Sequence, residues 1–115
     1  MDFEKTSEWA EMLAAAGHPV RLMILAELLK GPKCVTTIHE LLKVRQSNVS
    51  QHLLVLKHNG LVSSTQDGAF RCYYLPKPTQ VRAIFRLLER DYPTVSLEQI
   101  RKKFRRTRER AKSTG

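Results

Sequence analysis

The run Gln46-Ser47-Asn48-Val49-Ser50-Gln51-His52 places six short hydrogen-bonding side chains within seven positions. Amides and hydroxyls of this kind match the edges of nucleic-acid bases. Gln and Asn can bond adenine through two atoms at once, and Ser can bond either base type. Arg45 before the run and Lys57 beyond it suit phosphates, which position a protein on a duplex without specifying sequence. A solvated helix face that binds nothing would also be polar, but such faces are usually rich in Glu and Lys. Residues 46–58 contain no acid at all, and the composition favours base recognition. Further along, Arg71 and Gln66 flank Asp67-Gly68 and are candidates for phosphate or minor-groove contact. Asp67 opposes phosphate by its charge and is better assigned to the turn.

These side chains need elements to hold them. Trp9, Met12, Leu13 and Ala16 recur at helical spacing, which predicts a helix begun near Thr6 or Ser7 and ended by Gly17. Pro19 then suits the first turn of a second helix. From Val20 to Leu29 that helix is apolar almost all round, as a central helix of a small domain would be. Lys33-Cys34-Val35 reads as a brief strand, and Thr37 with Glu40 as a capping box opening a short third helix. Lys43-Val44-Arg45 leads tightly into the helix Gln46–His58, whose inward side is Val49, Leu53 and Leu56. Two helices joined this closely form a helix-turn-helix. The period then changes to two in Leu61–Thr65 and Phe70–Leu75, and Asp67-Gly68 between them is a strong hairpin signal. Val81, Ile84, Phe85 and Leu88 define a helix after the hairpin. Ser96 with Gln99 caps a last one, with Leu97, Ile100 and Phe104 on one side. The expected architecture is mainly α with a small β-hairpin wing, a winged helix-turn-helix over residues 1–92 followed by a basic helical extension over 93–115.

Charge divides along the same boundary. The net charge is +9, yet residues 101–115 hold eight Lys/Arg against one Glu, a net of +7. A basic tail suits a polyanion such as nucleic acid, or it is simply a solubilising end. It could pack on the body through Leu97, Ile100 and Phe104 or remain an arm that orders on DNA. No apolar run is long enough to span a membrane. Three acids among the first eight residues argue against a signal peptide, so a cytoplasmic location is expected. No paired-carboxylate cleft, phosphate-cradling glycine loop or nucleophile with a recognisable base is evident, and an enzyme is not expected. Trp9, Met12 and Leu13 with Ile84, Phe85 and Leu88 offer more apolar stripe than one small domain needs, which predicts burial across a two-fold axis.

Gly17-His18-Pro19-Val20-Arg21, Gln46-Ser47-Asn48-Val49-Ser50-Gln51-His52-Leu53, Gly60-Leu61-Val62 and Tyr73-Tyr74-Leu75 together resemble the ArsR/SmtB family of bacterial repressors over about residues 9–90. The resemblance implies a homodimer joined through its first and post-wing helices, bound to a double-stranded operator and released by an inducer. It assigns base and backbone contacts to Gln46, Ser47, Ser50 and Gln51. Family members often sense metals or metalloids, but the ligand patterns are incomplete here. The arsenic pattern is Cys-x-Cys before the third helix, where this chain has Cys34-Val35-Thr36. The zinc pattern needs histidines on the post-wing helix, whereas residues 81–90 have none and Glu89 as their one acid. The persulfide pattern needs a cysteine in the second helix, where Ala26 stands, and another in the post-wing helix, which has none.

His18, His39, His52 and His58 do not rescue a metal site, since none lies four residues from another His or a Cys. No metal or cofactor is expected. Cys34 and Cys72 remain. In a winged helix the strand before the third helix pairs with the outer wing strand, which would bring these two thiols together within the Cα separation a disulfide tolerates. A redox or metalloid switch at the pair is one reading. Plain packing is the other, because free Cys behaves as a small hydrophobe. The competing function is an effector-independent winged-helix module binding protein or RNA.

Overall fold

A computed structural model describes residues 1–114; Gly115, the end of the expected extension, lies outside the described residues. The chain runs α1 (Phe3–Ala16), α2 (Pro19–Leu29), β1 (Lys33–Cys34), α3 (Val35–Leu42), α4 (Gln46–His58), β2 (Ser63–Asp67), β3 (Phe70–Tyr74), α5 (Pro78–Glu89) and α6 (Leu97–Thr114). The helix-turn-helix is α3–α4, and the wing is the β2–β3 hairpin. The three strands form one antiparallel sheet in the order β1-β3-β2. No single helix among the described residues is long and apolar enough to cross a membrane.

Several boundaries differ from those expected of the sequence. α1 starts at Phe3 because Asp2 caps it, its carboxylate accepting the Glu4 N–H at 3.0 Å. α3 starts at Val35, so Thr37 stands inside the first turn and the Thr37–Glu40 capping box does not form. Cys34, the last residue of β1, is itself the N-cap residue of α3. The wing strands are shifted as well. Leu61 and Val62 are buried, ending α4 rather than opening β2, and the strand begins at Ser63. Asp67 pairs with Phe70, which leaves Gly68-Ala69 as the two-residue turn, with Gly68 at φ +59°. A left-handed first turn residue matches the right-handed twist of the strands.

The core explains how α4 is held. Ile24 and Leu25 of α2, Ile38 of α3, Val49, Leu53 and Leu56 of α4, Val62 and Val81 are all but sealed from solvent. Each such side chain contributes about 1.5–3 kcal/mol by leaving water. α2 is the central helix its composition predicts, packing against α3, α4 and α5. At the far end of α4 the Gly60 N–H bonds the Lys57 carbonyl at 3.1 Å and the Leu61 N–H bonds that of Leu56 at 3.0 Å. This reciprocal closure requires the left-handed backbone of Gly60, at φ +75°.

Beyond α5 the character changes. Every described side chain from Arg86 through Ala111 is exposed. The Ser96–Gln99 capping box forms, with the Gln99 N–H donating to Ser96 Oγ and the Ser96 N–H to Gln99 Oε1. Leu97, Ile100 and Phe104 nonetheless stay 64%, 49% and 63% exposed, so α6 does not dock on the body through them. The helix stands away from the domain.

Candidate nucleic-acid interface

The three buried residues of α4 fix its roll about its axis. With Val49, Leu53 and Leu56 inward, Gln46, Ser47, Asn48, Ser50 and Gln51 all point outward and are exposed. Arg45 is the N-cap residue of α4 and is exposed too. It makes no side-chain cap, and the first turn of α4 contains no acid. The free N–H groups of a helix N-terminus favour anions such as phosphate. The turn that aims α4 depends on Lys43, which adopts a left-handed φ of 55° and caps α3 through its N–H to the His39 carbonyl. His39 Nδ1 in turn contacts the Val44 carbonyl.

His52 does not join the exposed row. It stands three residues after Val49 and four before Leu56, at the margin of the buried stripe, and is half-buried. Its ring lies 4.5 Å from that of His18, tilted by 39°. Arg21 Nη1 is 3.3 Å from His52 Nδ1. Arginine can only donate, so Nδ1 accepts and Nε2 carries the ring proton. Burial, then the His18 and Arg21 charges, hold the His52 imidazole below the ordinary histidine range. The same guanidinium donates to the Ala14 and Ala15 carbonyls at the end of α1. Arg21 therefore fastens α1, α2 and α4 to one another, a role that residue type and spacing did not indicate.

The wing meets α4 at Ser64. Lys57 Nζ donates to Ser64 Oγ at 2.8 Å, and Arg71 Nη1 donates to the same oxygen at 3.3 Å. Two cations, one from the helix and one from the wing, thus converge on one hydroxyl at the surface. Sequence reasoning found both cations but not the serine between them, since the join depends on strand register. Gln66 is occupied within the wing, donating to the Gly68 carbonyl.

Cys34 and Cys72 are direct partners in the β1–β3 register, and both are free and half-buried. Cys34 Sγ lies 3.2 Å from Thr37 Oγ1. The Thr37 hydroxyl, followed by the Thr37 backbone, holds this thiol below the ordinary range, with slight burial opposing. Among the described residues no three His, Cys, Asp or Glu side chains gather into a metal-binding group.

On another face, Leu13, Ala16, Gly17, Leu22, Ile84, Leu87 and Leu88 line an apolar groove between α1, α2 and α5. Trp9 and Leu13 of α1 are 45% and 57% exposed, and Leu87 and Leu88 of α5 are each 60% exposed. Met12 and Phe85 instead pack against the core of their own domain, and Leu87 takes a place in the outer stripe.

Residues 18–64 match the arsR family of bacterial regulatory proteins. A helix-turn-helix transcriptional regulator of Methanocaldococcus jannaschii is 38% identical over 87 residues, 75% of this chain and 97% of that one. The crystal structure of the transcriptional repressor PagR of Bacillus anthracis is similar with a TM-score of 0.68 at 34% identity, covering 76% of this chain and 100% of that one. The structure of HlyU from Vibrio cholerae gives a TM-score of 0.67 at 31% identity, covering 76% of this chain and 94% of that one.

Proposed function

The chain belongs to the arsR family of bacterial regulatory proteins and is a DNA-binding transcriptional regulator, and we propose that it represses as a homodimer on a pseudo-palindromic operator. The observation that carries this reading is the acid-free row Gln46, Ser47, Asn48, Ser50 and Gln51, fully presented on the first two turns of α4. Recognition helices read bases mainly through their N-terminal residues. Arg45 at the helix entrance, with Lys57 and Arg71 at the wing junction, supplies phosphate contacts that set the register.

The apolar groove and the exposed stripes of α1 and α5 support the dimer, since burying them removes from water a surface that a monomer leaves wet. A two-fold axis through that surface presents two copies of α4 to major grooves about 34–36 Å apart. The protein acts in the cytoplasm, without an enzymatic activity, and an inducer lowers its affinity for the operator. Residues 1–92 do this work, and the extension from 93 adds charge.

Selection of duplexes from a random pool by the purified protein tests the reading. The enriched duplexes should share an inverted repeat, and light scattering should give twice the chain mass. Enrichment without a shared sequence, or a strictly monomeric mass at micromolar concentration, overturns it in favour of a module for protein or RNA.

A further inference from the structure

The three-stranded sheet contains a chemical feature that DNA reading does not use. Cys34 and Cys72 face each other directly across β1 and β3. Opposed residues of an antiparallel pair project to the same face of the sheet, with Cα atoms about 4.5–5.5 Å apart. That range lies inside the roughly 4.4–6.8 Å a disulfide spans. Both residues are half-buried and reduced, within reach of a small oxidant. Packing needs only a small apolar side chain at either position, and does not require two thiols in one cross-strand pair.

We propose that Cys34 and Cys72 form a reversible intrachain disulfide when the protein meets a hydroperoxide. Cys34 is the attacking thiol. It stands at the N-terminus of α3, with the Thr37 hydroxyl 3.2 Å from its sulfur, a setting that favours the thiolate. The thiolate attacks the terminal peroxide oxygen and the O–O bond breaks. Cys34 becomes a sulfenic acid, and the alkoxide or hydroxide leaving group takes up the thiol proton. Cys72 then attacks Cys34 Sγ, the S–S bond forms, and the S–O bond breaks, its hydroxide leaving as water with the Cys72 proton. Two thiols are oxidised and one peroxide is reduced to an alcohol (or water) and water. A half-exposed cross-strand bond of this kind is open to attack by a reducing thiol, which returns the pair to its starting state.

The bond would join two parts of the DNA-reading unit. Cys34 is the N-cap residue of α3, the first helix of the helix-turn-helix. Cys72 is the middle of β3 and pairs on its other side with Thr65 of the wing. Oxidation fixes the wing to the start of α3 and frees the Thr37 hydroxyl, so oxidised and reduced protein should bind one duplex with different Kd. This coupling rests on the DNA-binding reading, whereas formation of the bond does not.

The test treats the full chain with hydrogen peroxide and reads thiol titre, intact mass and DNA binding. Wild type should lose both thiols and the mass of two hydrogen atoms. It should remain a single chain on a non-reducing gel and recover with dithiothreitol. Cys72→Ser should halt at a Cys34 sulfenic acid that dimedone traps, and Cys34→Ser should resist the same dose. Bonds formed only between chains, or dimedone capture on Cys72 of Cys34→Ser but not on Cys34 of Cys72→Ser, overturn the assignment. Equal Kd for fully oxidised and fully reduced protein on a selected duplex overturns the coupling alone. Failure of both forms to select any duplex strikes the DNA reading instead.

Discussion

Replacing Lys57 and Arg71 together by Gln should flatten the salt dependence of DNA binding without changing what sequence is preferred. The two cations meet at Ser64 Oγ, at 2.8 and 3.3 Å, and stand between the C-terminal end of α4 and the wing. If each neutralises one phosphate, the proposed dimer makes four such contacts. At about 0.9 per phosphate, their loss removes about 3.6 from the slope of log K against log salt. Over a fourfold rise in salt this corresponds to roughly a hundredfold difference in how far binding weakens. Gln retains hydrogen-bonding capacity and both residues are exposed, so stability should move by no more than about 0.5 kcal/mol. Fluorescence anisotropy of a labelled duplex, read from about 50 to 200 mM salt on selected and random sequences, supplies both slopes. The loss should be equal on the two. An unchanged slope would show that the cations do not reach phosphate, and a loss confined to the selected duplex would make them readers of bases.

Three further outcomes follow from the same geometry. Gln46→Ala or Gln51→Ala should each cost about 1–3 kcal/mol on a selected duplex and little on random DNA, measured by the same anisotropy assay; equal losses would take these residues out of base reading. Thermal stability should depend on pH through His52, whose folded-state imidazole is held below the ordinary value of 6.5. The unfolded chain then binds the extra proton first, so the contribution is complete above about pH 6.5 and is lost as pH falls toward the folded value; His52→Gln should remove that part of the melting-temperature profile. Truncation before Ser96 should leave the melting temperature nearly unchanged, because Leu97, Ile100 and Phe104 are exposed. It should flatten the salt slope on cognate and random DNA alike if the basic residues of α6 reach phosphate, and an unchanged slope would exclude the tail from the interface.

Helical periodicity and the Asp67-Gly68 signal were sufficient to read the order of elements, because each reflects burial or backbone conformation within a few residues. Boundaries failed where a side chain acted outside its usual part. Asp2 starts α1 earlier than Thr6 because one carboxylate is enough to cap it. α3 starts directly after Cys34, with no side-chain cap, so Thr37 falls inside its first turn. Asp67 closes the last pair of the wing ladder instead of sitting in the turn, so β2 runs on to Asp67, Ser64 pairs with Tyr73, and Arg71 reaches the Ser64 hydroxyl diagonally. A shift of two residues keeps each side chain on its face but changes its cross-strand partner, and local composition does not encode it.

The candidate site was legible to different depths for the same reason. Gln46, Ser47, Asn48, Ser50 and Gln51 could be read from sequence because three buried residues of their own helix decide which way they face. His52 could not, because its orientation depends on His18 and Arg21, remote in sequence and joined to it only by the packing of α2 on α4. The groups that turn His52 inward also hold α1, through the Ala14 and Ala15 carbonyls that receive the Arg21 guanidinium. A dimer built on α1 would set the distance between two operator-reading helices, so the link from α1 to α4 must be stiff if half-site spacing is to be selective. One guanidinium bonded to two carbonyls and an imidazole, with the Ala15 and His52 contacts partly shielded from water, has the directionality for that task, which apolar contact alone lacks. The contact that turns His52 inward is thus the one that joins α4 to α1 and α2.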